Sequence, residues 1–101
     1  MRVRFTHGAR RQLAEILAYI AQEDPVAADR VLRRIEDVAE KLGGNPGLGR
    51  KVSRKGVRMF PATPYPYLIF YEVTDALEIV RVRHAARRSL FLNEPAVEFS
   101  S

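Results

Sequence analysis

The chain has 101 residues, with 17 Lys and Arg against 12 Asp and Glu and a formal net charge of +5. That length supports one hydrophobic core, and an apolar fraction of 47% is that of a globular chain rather than a disordered one. The lack of Cys excludes disulfides, thiolate zinc sites and cysteine nucleophiles; two histidines, His7 and His84, do not make a histidine-rich metal centre, so no metal or cofactor is expected.

Arg2-Val3-Arg4-Phe5-Thr6 alternates apolar and basic residues with the period of a half-buried strand. Arg2 and Arg4 interrupt any apolar leader, and no run approaches the ~20 apolar residues of a membrane span. A cytoplasmic protein without membrane association is expected. Thr6 suits a helix N-cap, and Leu13, Ile16, Leu17 and Ile20 fall on one stripe, which predicts an amphipathic helix over residues 8–22. Asp24-Pro25 restarts the pattern, Asp as cap and Pro at the first helical position, where its missing N–H has no partner to lose. The second stripe is Ala28, Val31, Leu32, Ile35, Val38, Ala39 and Leu42, ended by Gly43-Gly44 with Pro46 beyond. Only about two residues separate the helices, so they should form an antiparallel hairpin.

Asn45-Pro46-Gly47-Leu48-Gly49 is rich in turn formers. Residues 56–61 read as a short strand, and residues 66–73 as a stronger one, dense in aromatic and β-branched side chains. Residues 74–76 make a tight connection to a last strand over 77–83. Strict alternation along it puts Val80 and Val82 toward the core with Glu78 and His84, and Ile79, Arg81 and Arg83 on the other face. The order β-α-α-β-β-β predicts a single α+β domain over residues 1–101, with a helical hairpin covering a small, mostly antiparallel sheet. Its core spans about 3–88. The tail 89–101 carries Leu90, Phe91, Leu92, Val97 and Phe99 for packing on the body or on a partner.

No acid lies between Lys41 and Tyr71, a stretch that holds Arg50, Lys51, Arg54, Lys55 and Arg58. A second basic cluster closes the last strand: Arg81, Arg83, His84, Arg87 and Arg88. If the second and fourth strands were close, these clusters would form one surface suited to phosphates or an acidic protein segment.

Several of these segments, in this order, resemble the RelE/ParE toxin superfamily and its ParE-like branch. They are Leu13, Ile16 and Tyr19-Ile20; Asp24-Pro25-Val26-Ala27-Ala28; Pro46-Gly47-Leu48-Gly49-Arg50; Gly56-Val57-Arg58; Tyr67-Leu68-Ile69-Phe70-Tyr71-Glu72; and Leu77 through Arg88, with its Arg81-x-x-His84-x-x-Arg87 ending. The resemblance implies the toxin of a type II toxin–antitoxin module, neutralised when a disordered antitoxin segment folds onto it. For the ParE-like branch it implies inhibition of DNA gyrase by a protein that is not an enzyme. The alternative it leaves open is a metal-independent endoribonuclease of RelE type that cuts mRNA on the ribosome.

Cleavage of RNA by its own 2′-hydroxyl needs a base, an acid and cations on the phosphate. Arg58, Arg83 and His84 are the candidates for those roles, although no Tyr follows Tyr71 to complete the nuclease pattern. The bland readings are that His84 hydrogen-bonds backbone at the turn into the tail, and that Arg58 pairs with Glu72 or Glu78 across the sheet. For target binding the candidates are Arg50, Lys51, Arg54, Lys55, Arg58 and Arg87. For the antitoxin they are Leu13, Leu17, Tyr67, Tyr71, Arg81 and Arg83, with strand addition at a sheet edge. Expected partners are a cognate antitoxin and gyrase, in an assembly that extends to a toxin–antitoxin heterotetramer, with direct nucleic-acid binding secondary.

Overall fold

The computed structural model describes residues 1–86; the expectations for Arg87 and for the tail 89–101 lie outside the described residues. Strand β1 (Val3–Phe5) passes at once into helix α1 (His7–Ala21), because the Thr6 hydroxyl accepts the Ala9 N–H at 3.2 Å. Asp24 does the same for helix α2 (Pro25–Gly44), accepting from Ala27 N at 3.0 Å with Pro25 at the first turn. The apolar stripes of both helices then face one sheet built from β2 (Arg50–Lys51), β3 (Arg58–Pro61), β4 (Tyr67–Val73) and β5 (Leu77–His84) beside β1.

The strand order is β1-β5-β4-β3-β2. Strand β1 runs parallel to β5, pairing Val3 with Leu77 and Phe5 with Ile79, and every other pair is antiparallel. This is the predicted α+β layout with one added strand, β2. Two charged residues offer no alternation to read, so Arg50 and Lys51 look like loop in the sequence. The core is Val31, Ile35, Val38 and Leu42 from α2, with Ile69, Tyr71, Leu77, Ile79 and Val82 from the sheet. Leu13, Ile16, Leu17 and Ile20 pack against it from α1.

The alternation expected along the last strand is corrected. Phe70 lies opposite Arg81 but Tyr71 lies opposite Ile79, so Val80 has no counterpart on β4. This irregularity inverts the parity halfway along β5. Leu77 and Ile79, both fully buried, enter the core before it and Val82 after it, while Glu78 lies with Arg4 rather than in the core. The two basic clusters are also apart, because β4 separates β3 from β5.

Arg4 pins β1 to the turn before β5, with Nη2 at 2.6 Å from Glu78 and 3.2 Å from Asp75. A hydrogen bond from the Thr74 hydroxyl, then the field of Arg4, holds the Asp75 carboxyl below the usual carboxylate range. A depressed carboxylate stabilises the fold above its unfolded-state pKa, and this contribution disappears as pH falls through the folded value. Thermal melts at stepped acidic pH should therefore show a shallower acid decline in Arg4→Gln than in the parent chain. The change should be small because Arg4 and Asp75 face solvent.

Candidate functional site

Strand β1 accompanies β5 only as far as Ile79, so residues 80–84 have no strand beside them on that edge among the described residues. Helix α1 comes alongside instead. Gln12 Oε1 accepts the Val82 N–H at 2.9 Å, satisfying one backbone donor of that edge. The helix and the edge enclose a groove of about 740 Å³. Arg11, Glu15, Ile16 and Tyr19 line it from α1, and Tyr67, Arg81, Val82, Arg83 and His84 from the sheet. Gln12→Ala should cost roughly 1–3 kcal/mol, measured by denaturant unfolding, since it strands a partly buried N–H.

The side chains of this groove are held in place. The Tyr67 and His84 rings meet edge to face, with centroids 5.2 Å apart and planes at 86°. His84 Nδ1 accepts the Ala86 N–H at 2.9 Å, which fixes the exit of β5 and occupies one ring nitrogen. Ala85 N donates to Pro66 O at 2.9 Å beside it. The Arg83 guanidinium lies 5.0 Å from the centroid of the Phe70 ring, in cation–π range. Arg81 is 9% exposed, and Phe70, which lies opposite it on β4 and outside the groove lining, is 3% exposed.

The remaining candidates are placed elsewhere. Tyr71 is fully buried; its hydroxyl accepts from Gly49 N at 2.8 Å and donates to Pro46 O at 2.7 Å. Leu13 and Leu17 face the core. The Arg58 guanidinium donates to Gly49 O at 2.5 Å and reaches Gly47 O at 3.5 Å, binding the glycine loop rather than a carboxylate across the sheet. Arg50, Lys51, Arg54 and Lys55 are exposed on β2 and the turn after it, at the opposite edge of the sheet from β1. That turn is closed by Val52 N to Val57 O at 2.8 Å and by Gly56 at φ 89°, a conformation glycine adopts without strain.

Arg58 pairs with Tyr71 across β3 and β4, whereas His84 pairs with Tyr67 across β4 and β5. Four residues along β4 set the two positions roughly 13 Å apart along the strand direction. Arg83 and His84 are brought together at the groove, and Arg58 does not join them. The residues missed by sequence reasoning are Arg11, Gln12, Glu15 and Tyr19. They sit on the polar side of an amphipathic helix, where the pattern marks only solvent. Among the described residues no group of three or more His, Asp or Glu gathers to hold a metal, and no helix is long and apolar enough to cross a membrane.

Comparison with known proteins agrees with this architecture. The solved structure described as the chromosomal ParDE TA system from P. aeruginosa superposes with a TM-score of 0.71 at 24% identity, over 83% of this chain and 95% of that one. Y4kP of Sinorhizobium fredii, named as a toxin, is 40% identical over 84 residues, or 83% of this chain and 88% of its own. Toxin RelE2 of Caulobacter vibrioides is 42% identical over 81 residues, or 76% of this chain and 90% of its own. Residues 3–89 match the family described as ParE toxin of type II toxin-antitoxin system, parDE. With that match running from β1 through the end of β5, the chain belongs to the ParE toxin family of type II toxin–antitoxin systems.

Proposed function

We propose that the protein acts in the cytoplasm as an inhibitor of DNA gyrase, without catalysis of its own, and is silenced by a cognate antitoxin. The observation that carries this reading against the nuclease is the separation of Arg58 from Arg83 and His84. A cleaving site needs its base, acid and phosphate cations around one scissile bond, within hydrogen-bond reach. Here Arg58 is committed to the carbonyls of Gly47 and Gly49, and His84 Nδ1 to Ala86 N. The exposed Arg50, Lys51, Arg54 and Lys55 are the surface assigned to the target, because β2 and its turn gather cations at the last strand of the sheet among the described residues.

The antitoxin is assigned to the groove at the other edge. A segment laid in this groove would meet Arg81 and Arg83 with its acidic side chains and Tyr19 and Tyr67 with its apolar ones. The RNase reading is favoured by the RelE names of the Caulobacter relatives.

One paired experiment separates the two. Purified protein is added to a gyrase supercoiling and cleavage assay and, in parallel, to an in vitro translation reaction. Lost supercoiling with accumulated cleaved DNA and normal translation is expected. His84→Ala should retain that inhibition within a few-fold. Arrested translation with cleaved mRNA, abolished by His84→Ala, would reverse the assignment.

A further inference from the structure

We propose that the turn between β2 and β3 binds the phosphate backbone of duplex DNA, so that the toxin meets its target through the DNA the target holds. Arg50 and Lys51 lie on β2, and Arg54 and Lys55 at the tip of the turn, all four exposed. Among the described residues β2 pairs only with β3, which carries no acid. The chain has no acid at all between Glu40 and Glu72. The ion pairs among the described residues belong to Arg4 and Arg33 and involve none of these four. Their charge is left for an anion from outside the chain.

The surroundings of the four cations select the polyanion. A protein–protein interface takes most of its binding energy from a few anchors, rich in Trp and Tyr as well as Arg. Residues 50–57 hold no aromatic side chain, and the exposed Leu48 precedes them in the glycine loop. Single-stranded nucleic acid is held by bases stacked on aromatic rings, which the turn equally lacks. Duplex backbone needs neither, since Lys and Arg bind its phosphates without any base contact. The choice of DNA over duplex RNA rests on the gyrase reading above; the binding of duplex phosphate does not.

Scale and stiffness fit the same ligand. From Arg50 to Arg54 the chain spans at most about 14 Å. A duplex carries a phosphate about every 3.4 Å of its axis on each strand, so this length faces roughly four phosphates of one strand. The turn that carries the cations is closed on itself. Val52 N donates to Val57 O at 2.8 Å, and Gly56 N to Ser53 O at 3.3 Å. Ser53 Oγ accepts from both Lys55 N and Val57 N at 3.2 Å. The backbone under Arg54 and Lys55 therefore has little freedom left to lose on binding.

The test titrates the full chain into a short fluorescently labelled DNA duplex, without gyrase, and reads anisotropy as salt is raised. With four phosphates engaged, affinity should fall roughly 150-fold between about 50 and 200 mM salt. Lys51→Gln with Lys55→Gln should shrink that fall to roughly 12-fold. Arg30→Gln with Arg33→Gln, exposed on α2, removes as much charge elsewhere and should leave the fall unchanged. Equal loss from both pairs would assign the effect to net charge and overturn the site. Binding to a single strand, to duplex RNA or to polyglutamate that is as tight as binding to duplex DNA would overturn the choice of ligand. Absence of duplex binding would overturn the proposal as well, and with gyrase still inhibited it would mean that the turn meets protein. Duplex binding with the expected salt dependence, but gyrase untouched in the supercoiling assay, would leave the ligand of the turn standing and overturn the gyrase reading instead.

Discussion

Gly49→Ala is expected to destabilise the fold by about 3 kcal/mol, a large share of the roughly 5–15 kcal/mol that holds a domain together. A Cβ at this position would lie 2.6 Å from the Tyr71 hydroxyl, 2.8 Å from its ring and 2.9 Å from the Met59 carbonyl. None of these can withdraw cheaply. Tyr71 is fully buried in the core, and its hydroxyl bonds both Gly49 N and Pro46 O. Pushing the ring aside strands a buried N–H and carbonyl and frees the loop that Arg58 also grips. Gly8→Ala is the matched control. It lies in the first turn of α1 with nothing within 4 Å of the added carbon, and should stabilise by up to about 1 kcal/mol. Urea unfolding of the two variants should therefore move in opposite directions. Equal midpoints for Gly49→Ala and the parent would mean that the loop is not fastened by Tyr71.

The same tyrosine marks the boundary of what the sequence makes legible. Helices were readable because two stripes and two caps, Thr6 and Asp24, repeat over many residues and agree with one another. Strand β4 was readable from its aromatic and β-branched run. The side on which each β5 residue falls was not, because alternation assumes an uninterrupted ladder and Val80 interrupts it. Nor was β2, whose two residues are a strand only through pairing with Arg58 and Met59. Tyr71 looks in the sequence like any exposed or buried aromatic. What buries it is the glycine loop more than 20 positions away, a contact no local pattern encodes.

The candidate site divides in the same way. Arg81, Arg83 and His84 are legible as part of a basic cluster and Tyr67 as an antitoxin candidate, and the fold brings these four to one groove. Gln12 and Tyr19 became part of it because β1 pairs with β5 only as far as Ile79 and α1 comes alongside the residues beyond. Arg58 left the site for an equally simple reason. The register puts it opposite Tyr71, at the end of β4 away from His84. A nuclease and a binding module with the same residue types would thus be hard to tell apart by composition, and differ in which ends of the strands the cations occupy.

Arg83→Glu is expected to weaken binding of the cognate antitoxin by about 30-fold or more, since an opposed charge at a sheltered contact costs roughly 2–5 kcal/mol. Arg83 lines the groove between Val82 and His84 and stands over Phe70, so it presents its charge against a low-dielectric floor rather than bulk water. Calorimetric titration of antitoxin into each variant gives the affinity. A melting curve run alongside confirms that the fold survives the lost cation–π contact. Lys51→Glu with Lys55→Glu, on β2 and its turn across the sheet, should leave antitoxin affinity within a few-fold and instead weaken gyrase inhibition. In growing cells the first variant should remain toxic despite co-produced antitoxin, and the second should be harmless without it. The opposite pattern would exchange the two edges of the sheet: the groove would then be the face presented to the target, and β2 the strand on which the antitoxin extends the sheet.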